Sequence, residues 1–415
     1  MKPGTFSPRS FFLLAALLVF CNRLLLPFGL QYSLLLTPLW VYFLVREGGL
    51  RWLLLCILPF AVWNLYHLLH VVSPLANILS FVLLCSTLAF AWSVYYQLKK
   101  RDDWHTLFRF LAGLNVFLLL VSLAVYPFES LRPYCWYLID FTPNHRPIPR
   151  LKVFELEASH YSMAIAPLFL YFLWSILRQF NWRDVFLLIS LGLSLLLSFS
   201  FGVLACLVVT FLMLFVSRIT KIYRSRKLKW FFISGTILGL LICLGLVVLF
   251  PENALYFRLQ NVLSGVDTSG RGRTYEAFIL AHKILTQQHA ELWGIGLGQL
   301  KLVGRSIIIQ YYHYTAMPAV VRLPNCTAEF LCYYGFVGFA ARLAVQLFCF
   351  FRFQVYRNLF RMSLFIFIFI YQFTGSFIFN PAEYIIWGMA FLPSFSKLDF
   401  KSFTCYQVPE GRDKD

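Results

Sequence analysis

The sequence predicts an all-α polytopic integral membrane protein, with about twelve transmembrane helices and both termini cytoplasmic. Three observations lead there. Of 415 residues, 60% are hydrophobic and only 13% charged, with a mean hydropathy of +0.71. A soluble domain carries roughly a quarter charged residues. Apolar runs of about 20 residues recur along the whole length, each enough to cross a bilayer core of about 30 Å. The basic residues between those runs gather on one side of the resulting topology.

The spans are expected near residues 10–30, 31–46, 51–70, 73–97, 104–126, 160–177, 184–198, 201–217, 231–250, 324–351, 362–379 and 383–397. The first run follows Lys2 and Arg9. It lacks a small-residue cleavage site and another span follows at once, so it reads as a retained helix rather than a signal peptide. Arg46 and Arg51 flank the turn after the second span, and Lys99-Lys100-Arg101 follow the fourth. Arg178 and Arg183 follow the sixth, and six basic residues lie between Arg218 and Lys229 after the eighth. Arg352, Arg357 and Arg361 follow the tenth, and Lys397 and Lys401 the last. All fall on the side of the termini, which the positive-inside rule makes the cytoplasm.

That distribution also explains the net charge of +18 without nucleic acid, because most of the cations sit in short loops beside spans. Ten cysteines give no disulfide framework: most lie inside apolar runs and read as small buried hydrophobes. Cys135 and Cys326 lie nearer the outer face, with nothing to pair them. The chain divides into residues 1–250, holding nine spans and an outer loop at about 127–159; a large outer loop at 251–323; spans ten to twelve at 324–397; and a cytoplasmic tail at 398–415.

The two outer loops break the charge rule. The first holds Arg132, His145, Arg146, Arg150 and Lys152; the second holds Arg258, Arg271, Arg273, Lys283, Lys301, Arg305 and Arg322. Arginine can hold a phosphate by bidentate, charge-assisted hydrogen bonds. Singly, such arginines pair with carboxylates or face water; as a group they point to an anion site. Ser269-Gly270-Arg271 reads as a turn into a helix over 273–286, amphipathic at the surface. An arginine beside free N–H groups at a helix start suits an anion. Gly294-Ile295-Gly296-Leu297-Gly298 lacks the strand–helix unit of a nucleotide loop and reads as tight packing of a re-entrant loop.

Glu157 and His160 stand where the first outer loop enters the sixth span. Ionisable groups at a membrane edge are costly unless paired or useful. Glu157 could take a proton from an attacking hydroxyl, or form a salt bridge to Arg150 or another outer-loop arginine. His160 could instead cap the helix, and His313, in Tyr311-Tyr312-His313-Tyr314, is a further candidate base.

These stretches resemble the O-antigen ligase and Wzy-type polymerase superfamily of bacterial envelope glycosyltransferases. Ser269-Gly270-Arg271 resembles the opening of that family's large periplasmic loop, and Leu292 to Gly298 the glycine-rich stretch after it. Asn325 with Gly335 and Gly338 matches the spacing of its His-Asn, nine residues, Gly-x-x-Gly motif. Glu157-Ala158-Ser159 is similar to its Glu-Pro-Ser signature, and Ser200-Phe201-Gly202 to its Ser-Arg-Gly turn. The chain departs at Pro324, where the family often has histidine, and at Ala158 and Phe201. The missing histidine favours a polymerase over a ligase.

The resemblance implies a GT-C-like membrane protein of the bacterial inner membrane that faces the periplasm. It implies an inverting, metal-independent glycosyltransferase without a cofactor. Its donor and acceptor would be undecaprenyl-pyrophosphate-linked oligosaccharides, among membrane lipids and beside a chain-length regulator and a flippase. Arg271, Arg273, Arg150 and Arg322 would hold the pyrophosphate. Arg271 would also stabilise the leaving charge, and Glu157, His160 or His313 would orient or deprotonate the acceptor. Asn325, Gly335, Gly338, Gly294, Gly296 and Gly298 would be structural. The alternatives are a ligase acting on lipid A–core and, in another class, a lipid-linked oligosaccharide flippase. Arg23 and Arg342, placed inside spans, suit the flippase.

Overall fold

The structure, a computed structural model, describes residues 8–22, 31–46, 48–139, 148–224, 260, 268–313 and 323–399. Arg23, Arg322, the predicted span at 231–250 and the tail from residue 400 lie outside them. The helices are α1 (Pro8–Phe20), α2 (Tyr32–Leu35), α3 (Thr37–Arg46), α4 (Leu50–Leu68), α5 (Pro74–Lys99), α6 (Trp104–Val125) and α7 (Arg132–Cys135). They continue as α8 (Ala158–Arg178), α9 (Trp182–Leu197), α10 (Phe201–Arg224), α11 (Thr268–Arg273), α12 (Tyr275–Gln287) and α13 (Leu300–Val303). The last are α14 (Arg305–Tyr312), α15 (Cys326–Arg352), α16 (Leu359–Tyr371) and α17 (Pro381–Phe391). A two-stranded antiparallel hairpin, β1 (Trp136–Ile139) and β2 (Ile148–Leu151), is the one sheet among the described residues.

Among the described residues, five helices are long and apolar enough to cross a membrane: α4, α5, α6, α8 and α15. Shorter apolar helices lie at 11–20, 201–217 and 359–371. The membrane-embedded character follows from what they expose. Leu54, Leu58 and Leu65 of α4, Phe117 and Leu120 of α6, and Phe348 and Phe351 of α15 stand bare on the outside, a surface suited to lipid rather than water. The helix starts follow ordinary capping chemistry. Ser73, Asn181, Asn325, Asn358 and Asn380 each accept a backbone N–H in the first turn, and Pro74 and Pro381 open their helices.

Two predicted spans differ in form. The run at 31–46 is not continuous, because Leu36 separates α2 from the ten-residue α3. The run at 383–397 is the eleven-residue α17 followed by a 3₁₀ segment, Pro393–Leu398. Proline at 393 removes a backbone donor and its ring blocks helical continuation.

The centre of the bundle is α8, two-thirds of whose apolar window is buried, against 17% for α4. Trp174, Tyr161 and Phe172 of α8 pack with Phe360 and Phe367 of α16 in the main core. Several polar groups inside are paired between helices. Tyr161 donates to Asn115 Oδ1 at 2.6 Å, Asn115 Nδ2 to Ser194 Oγ at 3.0 Å, and Trp174 Nε1 to Ser363 Oγ at 2.8 Å. With little water available, such bonds fix helix register.

The hairpin seats on one end of the bundle. Trp136 Nε1 donates to the Ser122 carbonyl at 2.7 Å, and Arg150 Nε to the Ser198 carbonyl at 3.0 Å. Charges at the other end pair among themselves, as in Arg109 to Asp184 at 2.8 Å and the Arg101–Asp103 fork.

Candidate functional site at the hairpin end

The predicted tenth span is not a straight helix. Gly335 of α15 adopts φ +66°, ψ −172°, and the helix doubles back there. Arg342 Nη2 lies 3.4 Å from Cys326 Sγ, sixteen residues earlier, and the Arg342 guanidinium stacks 5.0 Å over the Phe330 ring. On a straight helix sixteen residues span about 24 Å. Gly338 lies inside the bend, since a Cβ there would come 2.4 Å from Tyr334 Cβ.

The break leaves backbone groups without helical partners, and the glycine-rich loop supplies them. Ile295 and Gly296 donate to the carbonyls of Cys332 and Tyr333, at 3.0 and 3.1 Å. Phe336 and Val337 donate to the carbonyls of Glu291 and Leu292, at 2.9 and 3.2 Å. The approach is so close that a Cβ on Gly294 would sit 2.3 Å from the Tyr333 oxygen, and one on Gly335 2.3 Å from the Leu292 oxygen. Gly294, Gly296 and Gly298 all have positive φ, which glycine adopts without strain. The far side of the loop is held by the first turn of α5, where Asn77 Nδ2 donates to the Leu297 carbonyl at 3.3 Å. This is the tight packing that the glycines predict.

The segment predicted as a turn before a 273–286 helix is itself helical. It forms α11, which Thr274, at φ −105° and ψ −111°, separates from α12. The apolar face of α12, Ala277, Leu280, Ala281, Ile284 and Leu285, is buried by protein rather than lying free at the surface, in a cluster with Leu331, Cys332 and Tyr333.

Arg271 lies 43% exposed on α11, with Nη2 2.7 Å from the nearly buried Glu276 Oε1 and its guanidinium 5.8 Å from the Tyr275 ring centre. The Glu276 carboxylate, first of several causes, holds the Arg271 pKa above its ordinary value. Tyr312 covers the same helix: a Cβ on Gly272 would meet its hydroxyl at 3.0 Å. His313 follows as the exposed, left-handed cap of α14.

Arg273 is tied down through its backbone. Fully buried Asn325 donates from Nδ2 to the Arg273 carbonyl at 2.8 Å and to the Phe373 carbonyl at 2.5 Å, while its Oδ1 accepts from Ala328 N at 2.9 Å.

Phe373 belongs to a segment, 371–377, on which the other predicted residues also converge. The His160 ring lies 6.0 Å from Phe377, edge to face. Phe278 of α12 stacks on Phe373 at 6.3 Å, and Cys326 N donates to the Gly375 carbonyl at 3.1 Å. Glu157 is the N-cap residue of α8, with Oε2 accepting from Ser159 Oγ at 3.1 Å. Arg150 sits in the hairpin, its Nε donating to the Ser198 carbonyl.

Sequence reasoning missed the 371–377 hub and a buried ionic network beside it. Arg342 Nη2 contacts Glu383 Oε1 at 2.6 Å, and Arg342 also donates to Gln372 Oε1 at 3.0 Å. Gln372 and Gln346 exchange amide bonds at 2.9 and 3.0 Å. The available signal was Gln372, Thr374 and Ser376, polar residues closing an apolar run.

No family model and no curated protein matches the chain. The geometry therefore stands by itself: three stretches distant in sequence, around residues 157–160, 271–273 and 325, meet beside one inter-helical segment.

Proposed function

We propose that the chain is a polymerase of bacterial surface polysaccharide, acting at the periplasmic face of the inner membrane. It would transfer a growing glycan from undecaprenyl pyrophosphate onto a lipid-linked repeat unit. The observation that most supports this reading is that Arg273, tied through Asn325 to Phe373, and His160, whose ring lies on Phe377, come to the same 371–377 segment. A cation and an imidazole are thereby brought to one segment, with Glu157 three residues before His160 at the cap of α8.

In this reading Arg271 and Arg273 hold the pyrophosphate. Arg271 would release Glu276 to do so. The acceptor hydroxyl oxygen bonds to the sugar C1 as the C1–O bond to phosphate breaks, with inversion. The electron pair leaves with the pyrophosphate, whose charge the guanidiniums offset. The hydroxyl proton passes to Glu157 or His160.

The flippase reading loses one support. Arg342 is neutralised by Glu383 inside the protein, so its place in an apolar helix needs no cargo. The ligase reading differs only in acceptor.

Deleting the gene and resolving the cell's lipopolysaccharide on a gel tests the proposal. A band of core plus one repeat, with no ladder, is the expected result. Loss of that single-repeat band with lipid-linked polymer accumulating would make the chain a ligase, and unchanged lipopolysaccharide would overturn the O-antigen assignment.

A further inference from the structure

A cleft of about 430 Å³ lies at the far end of α12, between the end of α4 and the segment after α12. α12 has thirteen residues, about 20 Å of helix, so the cleft stands that far along it from Arg271. None of the described residues predicted to be catalytic or pyrophosphate-binding lines it.

Its wall is aromatic and held in place. The Trp293 carbonyl accepts from Trp63 Nε1 at 3.1 Å and from His67 Nε2 at 2.9 Å. So anchored, Trp293 remains 46% exposed. The Tyr66 ring lies 5.8 Å away at 52°, and the His70 ring 4.8 Å beyond Tyr66. Two ring faces thus meet at a corner whose geometry is set before any ligand arrives.

Its rim is polar. Gln288 and Glu291 line it, with His67 at the back. His67 is 2% exposed and its Nδ1 makes no hydrogen bond. Because Nε2 donates to the Trp293 carbonyl, Nδ1 is the acceptor nitrogen, enclosed by protein behind the cleft wall. None of the described lining residues is Lys or Arg, and Glu291 adds a carboxylate, so a phosphate or uronate is disfavoured.

We propose that this cleft binds an uncharged pyranose of a glycan chain. The C–H face of a pyranose is weakly positive and suits the negative face of an indole or phenol ring. Its hydroxyls suit the carboxylate of Glu291 and the amide of Gln288 on the cleft wall. The inference deepens the proposed transferase reading and rests on it for the source of the sugar. The cleft would hold the chain several residues away from the reacting end.

Saturation-transfer NMR on the full-length protein in detergent tests it, with methyl glucoside, methyl galactoside and methyl N-acetylglucosaminide as probes and methyl glucuronide as the charged control. Saturation should reach the ring protons of an uncharged probe and not those of the glucuronide. Trp293→Ala should weaken binding about tenfold, the loss of one stacked face, and Trp293→Phe should restore most of it. Gln288→Ala, at an exposed side chain whose loss cannot unfold the protein, should weaken it as well. No transfer to any uncharged probe, or transfer unchanged by both Trp293→Ala and Gln288→Ala, would overturn the proposal and leave the rings as interfacial anchors. Sugar binding in a protein that makes no polymer would sink the transferase reading but not the cleft. Polymer synthesis without sugar binding would do the reverse.

Discussion

Asn325 and Arg273 are joined across 52 residues by a 2.8 Å hydrogen bond from the Asn325 amide to the Arg273 carbonyl. The same amide group also donates to Phe373, so one buried side chain links α11, the start of α15 and the end of α16. Two roles meet in that residue, and they can be separated. Asn325→Ala removes the cap and both tethers. It should cost about 2 kcal/mol or more, read as a lower unfolding temperature in detergent. Asn325→Asp keeps the capping oxygen but sets a buried carboxylate oxygen against the two carbonyls, so it should lose at least as much stability as the alanine variant and also lower transfer. An aspartate variant as stable as the unsubstituted protein would count against the tether.

Gly335→Ala should be among the most damaging small substitutions in the chain. It forces a Cβ to 2.3 Å from the Leu292 oxygen at a φ of +66°. The expected cost is about 3 kcal/mol or more, seen as aggregation or poor recovery of folded protein. Gly113→Ala, where a Cβ would meet nothing within 4 Å, is the control and should be neutral or slightly stabilising.

The Arg342–Glu383 pair is buried on both sides, at 9% and 0% side-chain exposure. Removing one partner leaves an uncompensated charge, so Arg342→Ala should destabilise by about 3–5 kcal/mol. The double variant Arg342→Met/Glu383→Leu should recover most of that loss. Comparing thermal unfolding of the single and double variants decides it; equal loss in both would mean that the network does more than balance charge.

Arg271 should behave differently from Arg342. Its ion pair with Glu276 is exposed on the arginine side, and such pairs contribute little to folding. Arg271→Ala should therefore keep the unfolding temperature and lower glycan transfer about a hundredfold, as when a charge-stabilising donor is removed from other enzymes. Arg271→Lys should recover only part, because an ammonium lacks the bidentate fork. Full transfer by Arg271→Ala would remove the arginine from the mechanism.

Much of this fold is legible in the sequence. The apolar runs at 51–70, 73–97, 104–126 and 184–198 became α4, α5, α6 and α9 with ends shifted by a few residues. Hydrophobic length alone decides such segments. Where a run depends on backbone angles, the sequence says less. The stretch 324–351 is mostly apolar, and nothing in its composition reveals that Gly335 takes a left-handed φ and folds the helix on itself. Gly335 and the 294–298 glycines stand out in the sequence, but that the two groups pack on each other comes from tertiary structure. The site was partly legible. Charge against the topological bias picked out Arg271 and Arg273. Tyr371 and Phe373 gave no such signal, because a residue offering a carbonyl or a buried hydroxyl looks like any other residue of an apolar helix.

Reconstitution tests the central claim most directly. The purified protein would be placed in liposomes with an undecaprenyl-pyrophosphate-linked repeat unit from a producing cell, and its products separated by size. The account predicts a ladder of lipid-linked polymer, strongly reduced by Arg271→Ala. No ladder from a protein that melts cooperatively, with the lipid-linked unit merely moved across the bilayer, would contradict it and make the chain a transporter.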